Sequence, residues 1–163
     1  YWRDVGTVRS LWQASMDLIS SPPAFDLYDP VWRIYSKNPN LPPHYVGEGA
    51  RVACSLVPEG CTIYGEVERS VLSSGVYVGR GALVRESVVM PFARIGDGAR
   101  VERAIIAEHA VVGGGCHIGA PGQKPEKDAG GITLVASDVA VPDGAVYERG
   151  SVIDGHTGKE ETE

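Results

Sequence analysis

Three columns of aliphatic residues run through positions 46–118 and leave the chain little freedom in what it can fold into. Val46, Ile63, Val78, Ile95 and Val112 form the first column, and Val52, Val67, Val84, Val101 and Ile118 form the second. Val57, Leu72, Val89 and Ile106 form the third. Steps within a column are 17 residues, apart from one 15-residue step that all three share at the shortened segment IYGE, 63–66. Passing between columns takes six, six and then five residues, and Gly47, Gly79, Gly96, Gly113 and Gly119 each directly follow a column member. A fixed period of this kind marks a solenoid, in which each coil buries its apolar side chains against its neighbours. The pattern predicts a hexapeptide repeat forming a three-sided parallel β-helix. One aliphatic residue per short strand points inward, and small residues make the turns.

The columns also predict orientation. Val84, Val89, Ile95 and Val101 should be buried, while Arg85, Arg94, Arg100 and Glu102 should face solvent. APGQKPEKDAGG, 120–131, interrupts the coils and is expected as an exposed excursion. VAVPDGAVYERGSVI, 139–153, repeats the phase of FARIGDGARVERAII, 92–106, and reads as a last coil. The tail HTGKEETE, 156–163, has nothing to bury and is expected to be disordered.

The chain before the repeats is of another kind. Val8, Leu11, Trp12, Met16 and Ile19 recur at helical spacing, so a helix is expected over 8–19, capped by the Thr7 hydroxyl and ended by Ser20, Ser21, Pro22 and Pro23. Segment 24–43 (AFDLYDPVWRIYSKNPNLPP) mixes aromatics with prolines that forbid long regular structure, and an ordered linker packed through Trp32 and Tyr35 is expected.

Net charge and cysteine usage narrow the function classes. A net charge of -6 argues against a nucleic-acid or anionic-membrane surface, which needs clustered Lys and Arg. No apolar run approaches the roughly 20 residues that cross a bilayer, and no basic-then-apolar leader opens the chain, so the cytoplasm is the expected compartment. Cys54, Cys61 and Cys116 lack metal-ligand spacing and are expected as reduced thiols. Tyr1 stands where a start Met would, so the chain is expected to be a piece of something longer.

Histidine invites an enzyme reading, because some hexapeptide β-helices are acyltransferases. His109 falls in the turn column of Gly75 and Phe92, and His117 in the outward column of Leu83 and Arg100. Neither column repeats a His, His44 precedes the first coil and His156 lies in the tail, so ordinary surface histidines are expected.

YWRDVGT, 1–7, is the motif with chemistry in it. A W-x-D-x-G-T motif, a helix (LWQASMDLI, 11–19), a linker with WRIYS and LPP, and then repeats such as SVVMPFARIGDGARVERAIIAEHAVVG form an order that resembles the bacterial glucose-1-phosphate adenylyltransferases, or ADP-glucose pyrophosphorylases. The resemblance covers nearly the whole chain. It implies an all-β fold, a left-handed parallel β-helix preceded by a short α-helix and a Pro-rich linker. It also implies four parts: 1–23 as the end of a nucleotidyltransferase domain, 24–45 as linker, 46–155 as β-helix and 156–163 as tail. In that family the motif's aspartate, by position Asp4, helps to hold the catalytic Mg2+. The parent reaction so implied makes ADP-glucose and pyrophosphate from ATP and glucose 1-phosphate, for glycogen synthesis in the cytoplasm. Neither a G-G-x-G-T-R-L nucleotide loop nor a Lys-bearing sugar-phosphate segment is present, so the chain alone is expected to be inactive.

The same resemblance implies a homotetramer, or pairing with a related subunit, and an anionic metabolite activator. ITLVASDVAVP, 132–142, is similar to a segment where plant-type relatives carry a regulatory Lys; here Ser137 stands nearest, and Lys124, Lys127 and Arg149 are the candidate substitutes. Two other readings stay open: a different sugar-1-phosphate nucleotidyltransferase, such as one acting on UDP-N-acetylglucosamine or mannose 1-phosphate, and a non-catalytic regulatory subunit.

Overall fold

A computed structural model describes residues 1–35, 39–122 and 131–155. One helix, α1 (Val8–Asp17), precedes seventeen short strands that stack as three parallel sheets, the expected left-handed parallel β-helix. The first face stacks β1 (Tyr45–Val46), β3 (Thr62–Ile63), β6 (Tyr77–Val78), β9 (Arg94–Ile95), β12 (Val111–Val112) and β15 (Ala140–Val141). The second stacks β2 (Arg51–Ala53), β4 (Glu66–Glu68), β7 (Leu83–Arg85), β10 (Arg100–Glu102), β13 (His117–Ala120) and β16 (Val146–Glu148). The third stacks β5 (Val71–Leu72), β8 (Val88–Val89), β11 (Ala104–Ile106), β14 (Thr133–Val135) and β17 (Val152–Ile153).

Strand register follows the sequence columns residue for residue. Val46 pairs with Ile63, Ile63 with Val78, Val78 with Ile95 and Ile95 with Val112. Val84, Val89, Ile95 and Val101 are wholly buried. A one-residue slip would turn every such side chain outward, so burial itself fixes the register. Val46 and Val52 also lie in the inward columns but remain 42% and 37% exposed. They belong to the first coil, which has a neighbour on one side only.

The last coil departs from the expected alignment by one residue. Val141, not Pro142, takes the place equivalent to Ile95, because it pairs with Val112. Tyr147 pairs with Ile118, and a register irregularity between Ile118 and Ala120 shifts the ladder before Ile153 pairs with Val135.

Most corners turn through a residue in the left-handed backbone region, and at many of them its N–H reaches a carbonyl of the preceding coil. Gly98 (φ 67) donates to Arg80 O at 2.8 Å, Glu86 (φ 46) to Glu68 O at 3.1 Å, and His109 (φ 58) to Pro91 O at 3.1 Å. A non-glycine residue pays about 1–2 kcal/mol for this conformation, and the hydrogen bond to the preceding coil offsets it. Behind the second corner runs a buried ladder: Ser55 Oγ accepts from Ser70 N–H, Ser70 Oγ from Ser87 N–H, and Ser87 Oγ from Ala104 N–H, each at 3.1 Å.

Helix α1 is capped as expected, with Thr7 Oγ1 accepting from Ser10 N–H at 3.1 Å and Ser10 Oγ from Thr7 N–H at 3.0 Å. It ends at Asp17, two residues short of the expected end, through a turn. Val8, Leu11, Trp12 and Met16 pack on Val88, Ile105 and Ile132, so the helix covers the third face of the β-helix. Trp12 Nε1–H donates to Glu86 O at 2.6 Å, and Arg103 lies over the indole at 5.3 Å. The linker does not pack as expected: Trp32 and Tyr35 are 81% and 86% exposed, because no described segment comes back to cover them.

Candidate functional site

The YWRDVGT segment leads into α1 without regular secondary structure, and its side chains divide. Tyr1 OH donates to Asp17 Oδ2 at 2.6 Å, and Arg3 Nη2 pairs with the same oxygen at 3.0 Å. These two contacts tie the segment to the end of the helix, and the hydrogen bond to Asp17 is the main reason the Tyr1 phenol pKa is raised. Asp4 takes no part in that clamp. Its Oδ1 accepts from Gly6 N–H at 3.1 Å, and the residue is exposed. Among the described residues no group of three or more His, Cys, Asp or Glu converges on one point. Magnesium that bridges phosphates takes only one or two protein carboxylates, and Asp4 fits that donor set.

Of the candidate regulatory residues, Arg149 lies among the described residues. Arg149 follows β16 at the surface, where its Nε donates to Gly119 O at 3.3 Å and its backbone N–H to Ala120 O at 3.0 Å. Both bonds span the register irregularity, which gives the residue a structural task. Lys124, Lys127 and His156 lie outside the described residues. Ser137 is exposed at a corner, beside the left-handed Asp138.

His109 and His117 lie in the columns expected of them and do not meet. His109 stacks on Phe92 with ring centroids 5.4 Å apart. His117 Nε2 lies 3.0 Å from Glu102 Oε2, and Glu102 also meets Arg85 Nη1 at 3.6 Å and Arg100 Nη2 at 3.8 Å. Glu102 therefore does not face open solvent as expected; its side chain is only 14% exposed. The ladder extends through Arg85–Glu68 at 3.0 Å. Parallel register produces it, by placing Glu68, Arg85 and Glu102 directly above one another.

Residues 43–146 match the family model described as GlmU-like, C-terminal hexapeptide. The chain belongs to the GlmU-like C-terminal hexapeptide family. Named relatives of this hexapeptide chain narrow the reading further. It is 44% identical to a glucose-1-phosphate adenylyltransferase of Desulforamulus reducens over 158 residues, 97% of this chain and 40% of the relative. A protein of the same name from Acetivibrio thermocellus is 44% identical over 166 residues, 99% of this chain and 39% of the relative. One from Bacillus cereus is 56% identical over 94 residues, 58% of this chain and 25% of the relative. The chain spans about two fifths of the length of the first two relatives. The first two alignments reach well past the hexapeptide match at 43–146.

Proposed function

We propose that this chain is the carboxy-terminal part of a glucose-1-phosphate adenylyltransferase, contributing one metal-holding carboxylate and an assembly and regulatory β-helix. The observation that carries the reading is the 44% identity over 97% of the chain, because so wide a span must take in residues ahead of the hexapeptide match at 43–146. That part holds Asp4, the capped helix and the linker. In the reaction, a phosphate oxygen of glucose 1-phosphate attacks the α-phosphorus of ATP, the α–β bridging P–O bond breaks, and pyrophosphate leaves. Bound Mg2+ neutralises charge on the phosphates; Asp4 would hold it through its carboxylate.

The β-helix serves assembly into a homotetramer or with a related subunit, and Arg149, with Lys124 and Lys127, receives an anionic activator. The compartment is the cytoplasm; no described helix is long and apolar enough to cross a membrane. The test is to assay the full-length protein and this chain separately with ATP, glucose 1-phosphate and Mg2+. The full-length protein should release pyrophosphate and form ADP-glucose, and the chain alone should not. A full-length protein that accepts UTP or GTP but not ATP would overturn the reading in favour of another sugar-1-phosphate nucleotidyltransferase.

A further inference from the structure

The segment that bears Asp4 is strung between the two ends of α1. At the first turn, Thr7 is tied down by its reciprocal cap with Ser10. At the other end Asp17, the last residue of the helix, meets Tyr1 OH at 2.6 Å and Arg3 Nη2 at 3.0 Å through one oxygen, Oδ2. Residues 3–7 therefore run back along the helix, and Asp4 lies between the two anchors. The helix is itself seated on the third face by Leu11 and Trp12, whose Nε1–H reaches Glu86 O at 2.6 Å. A carboxylate at the carboxy-terminal end of a helix opposes the macrodipole, and the last turn of α1, ASMD, carries no basic residue to offset it. By its charge Asp17 works against the helix that carries it, and its ion pair and hydrogen bond serve the segment ahead.

We propose that Asp17 is a positioning residue for Asp4: by holding Tyr1 and Arg3 against the end of α1, it keeps the Asp4 carboxylate in place for Mg2+. The inference rests on the reading of Asp4 as a metal-holding carboxylate and adds what holds that carboxylate still. Magnesium that bridges phosphates takes only one or two carboxylates from the protein, so the cost of ordering one of them falls directly on affinity. The Asp17 contacts meet that cost before the metal arrives. Without them the tie to the far end of the helix is lost, and ordering about one further backbone residue on binding costs roughly tenfold in affinity. Because α1 rests on Val88, Ile105 and Ile132, the third face of the β-helix becomes the bed on which Asp4 is aligned.

Calorimetry of ATP binding to the full-length protein, with and without Mg2+ and in the absence of glucose 1-phosphate, reads the gain in affinity that Mg2+ confers. Asp17→Ala should lower that gain about tenfold. It should also speed hydrogen exchange at the amides of residues 2–6 while those of 8–17 stay as slow as before, since Ala favours a helix. In the assay, the Mg2+ concentration for half-maximal rate should rise about tenfold with the saturated rate within about twofold, because bound metal orders the segment itself. If Asp4→Asn leaves the Mg2+ gain intact, the metal reading of Asp4 falls and this inference with it. A gain lost in Asp4→Asn but kept in Asp17→Ala would overturn the positioning role alone. Faster exchange throughout α1 in Asp17→Ala would overturn it too, by showing Asp17 to be a support of the helix.

Discussion

Ser87 Oγ lies 3.1 Å from the backbone nitrogen of Ala104 in the next coil and accepts its N–H, while the same hydroxyl donates to Arg85 O at 2.7 Å. Ser87 is wholly buried, so no water can replace either bond. Ser87→Ala should therefore cost about 1–3 kcal/mol through the stranded amide. Urea unfolding followed by circular dichroism measures it. A loss within about 0.3 kcal/mol would mean that the ladder adds nothing beyond the strand hydrogen bonds.

Ile95 and Arg94 are neighbours in β9 that point opposite ways. Ile95→Ala should lower stability by about 2–5 kcal/mol, since stacked coils cannot easily close on the cavity. Arg94→Ala should cost under about 1 kcal/mol, the worth of an exposed cation–π contact with Tyr77. The same unfolding assay checks both, and equal losses would contradict the alternation of inward and outward side chains.

Trp12 joins α1 to the third face through packing, one hydrogen bond and the Arg103 guanidinium. Trp12→Phe should cost about 1 kcal/mol for the lost bond to Glu86 O. Trp12→Ala should release the helix, seen as faster amide hydrogen exchange across 8–17 with the strand amides still protected. Uniform acceleration over the whole chain would show instead that helix and β-helix unfold as one unit.

The cysteines should differ in reactivity. Cys54 is exposed and Cys61 is buried, and burial pushes the Cys61 thiol above its ordinary pKa. Since the thiolate is the reactive form, iodoacetamide followed by mass spectrometry should label Cys54 first. Cys61 should remain unlabelled until denaturant is added, and comparable labelling in the native chain would contradict the described core.

In the full-length protein, Asp4→Asn should leave unfolding unchanged while lowering turnover by orders of magnitude and raising the Mg2+ concentration needed for half-maximal rate. The substitution keeps an oxygen to accept from Gly6 N–H but removes the charge. Near-normal turnover at limiting Mg2+ would reject the assignment.

Much of the fold was legible because burial in a solenoid is local and periodic. A column such as Val84, Val101 and Ile118 states in sequence which side chain lies above which, and only parallel register satisfies it. The helix cap was legible for the same reason, since Thr7 and Ser10 are three residues apart. The docking of α1 was written less plainly. Its signal was a second aliphatic beside each inward one on the third face, Val71 beside Leu72, Val88 beside Val89 and Ile105 beside Ile106, which makes that face apolar outside as well as inside.

The sequence by itself determined the coils, their register and the inward residues, because each follows from a repeat spacing that only stacking can bury. Tertiary structure decided what lies across the faces. Glu102 became a covered hub because two guanidinium groups and the His117 imidazole converge on it, and Arg94 came to rest on Tyr77 because register set a tyrosine 17 residues earlier directly beneath it. The last coil slipped by one where the strand beneath is irregular between Ile118 and Ala120. Such relations depend on distances between segments, and no spacing within one segment encodes them.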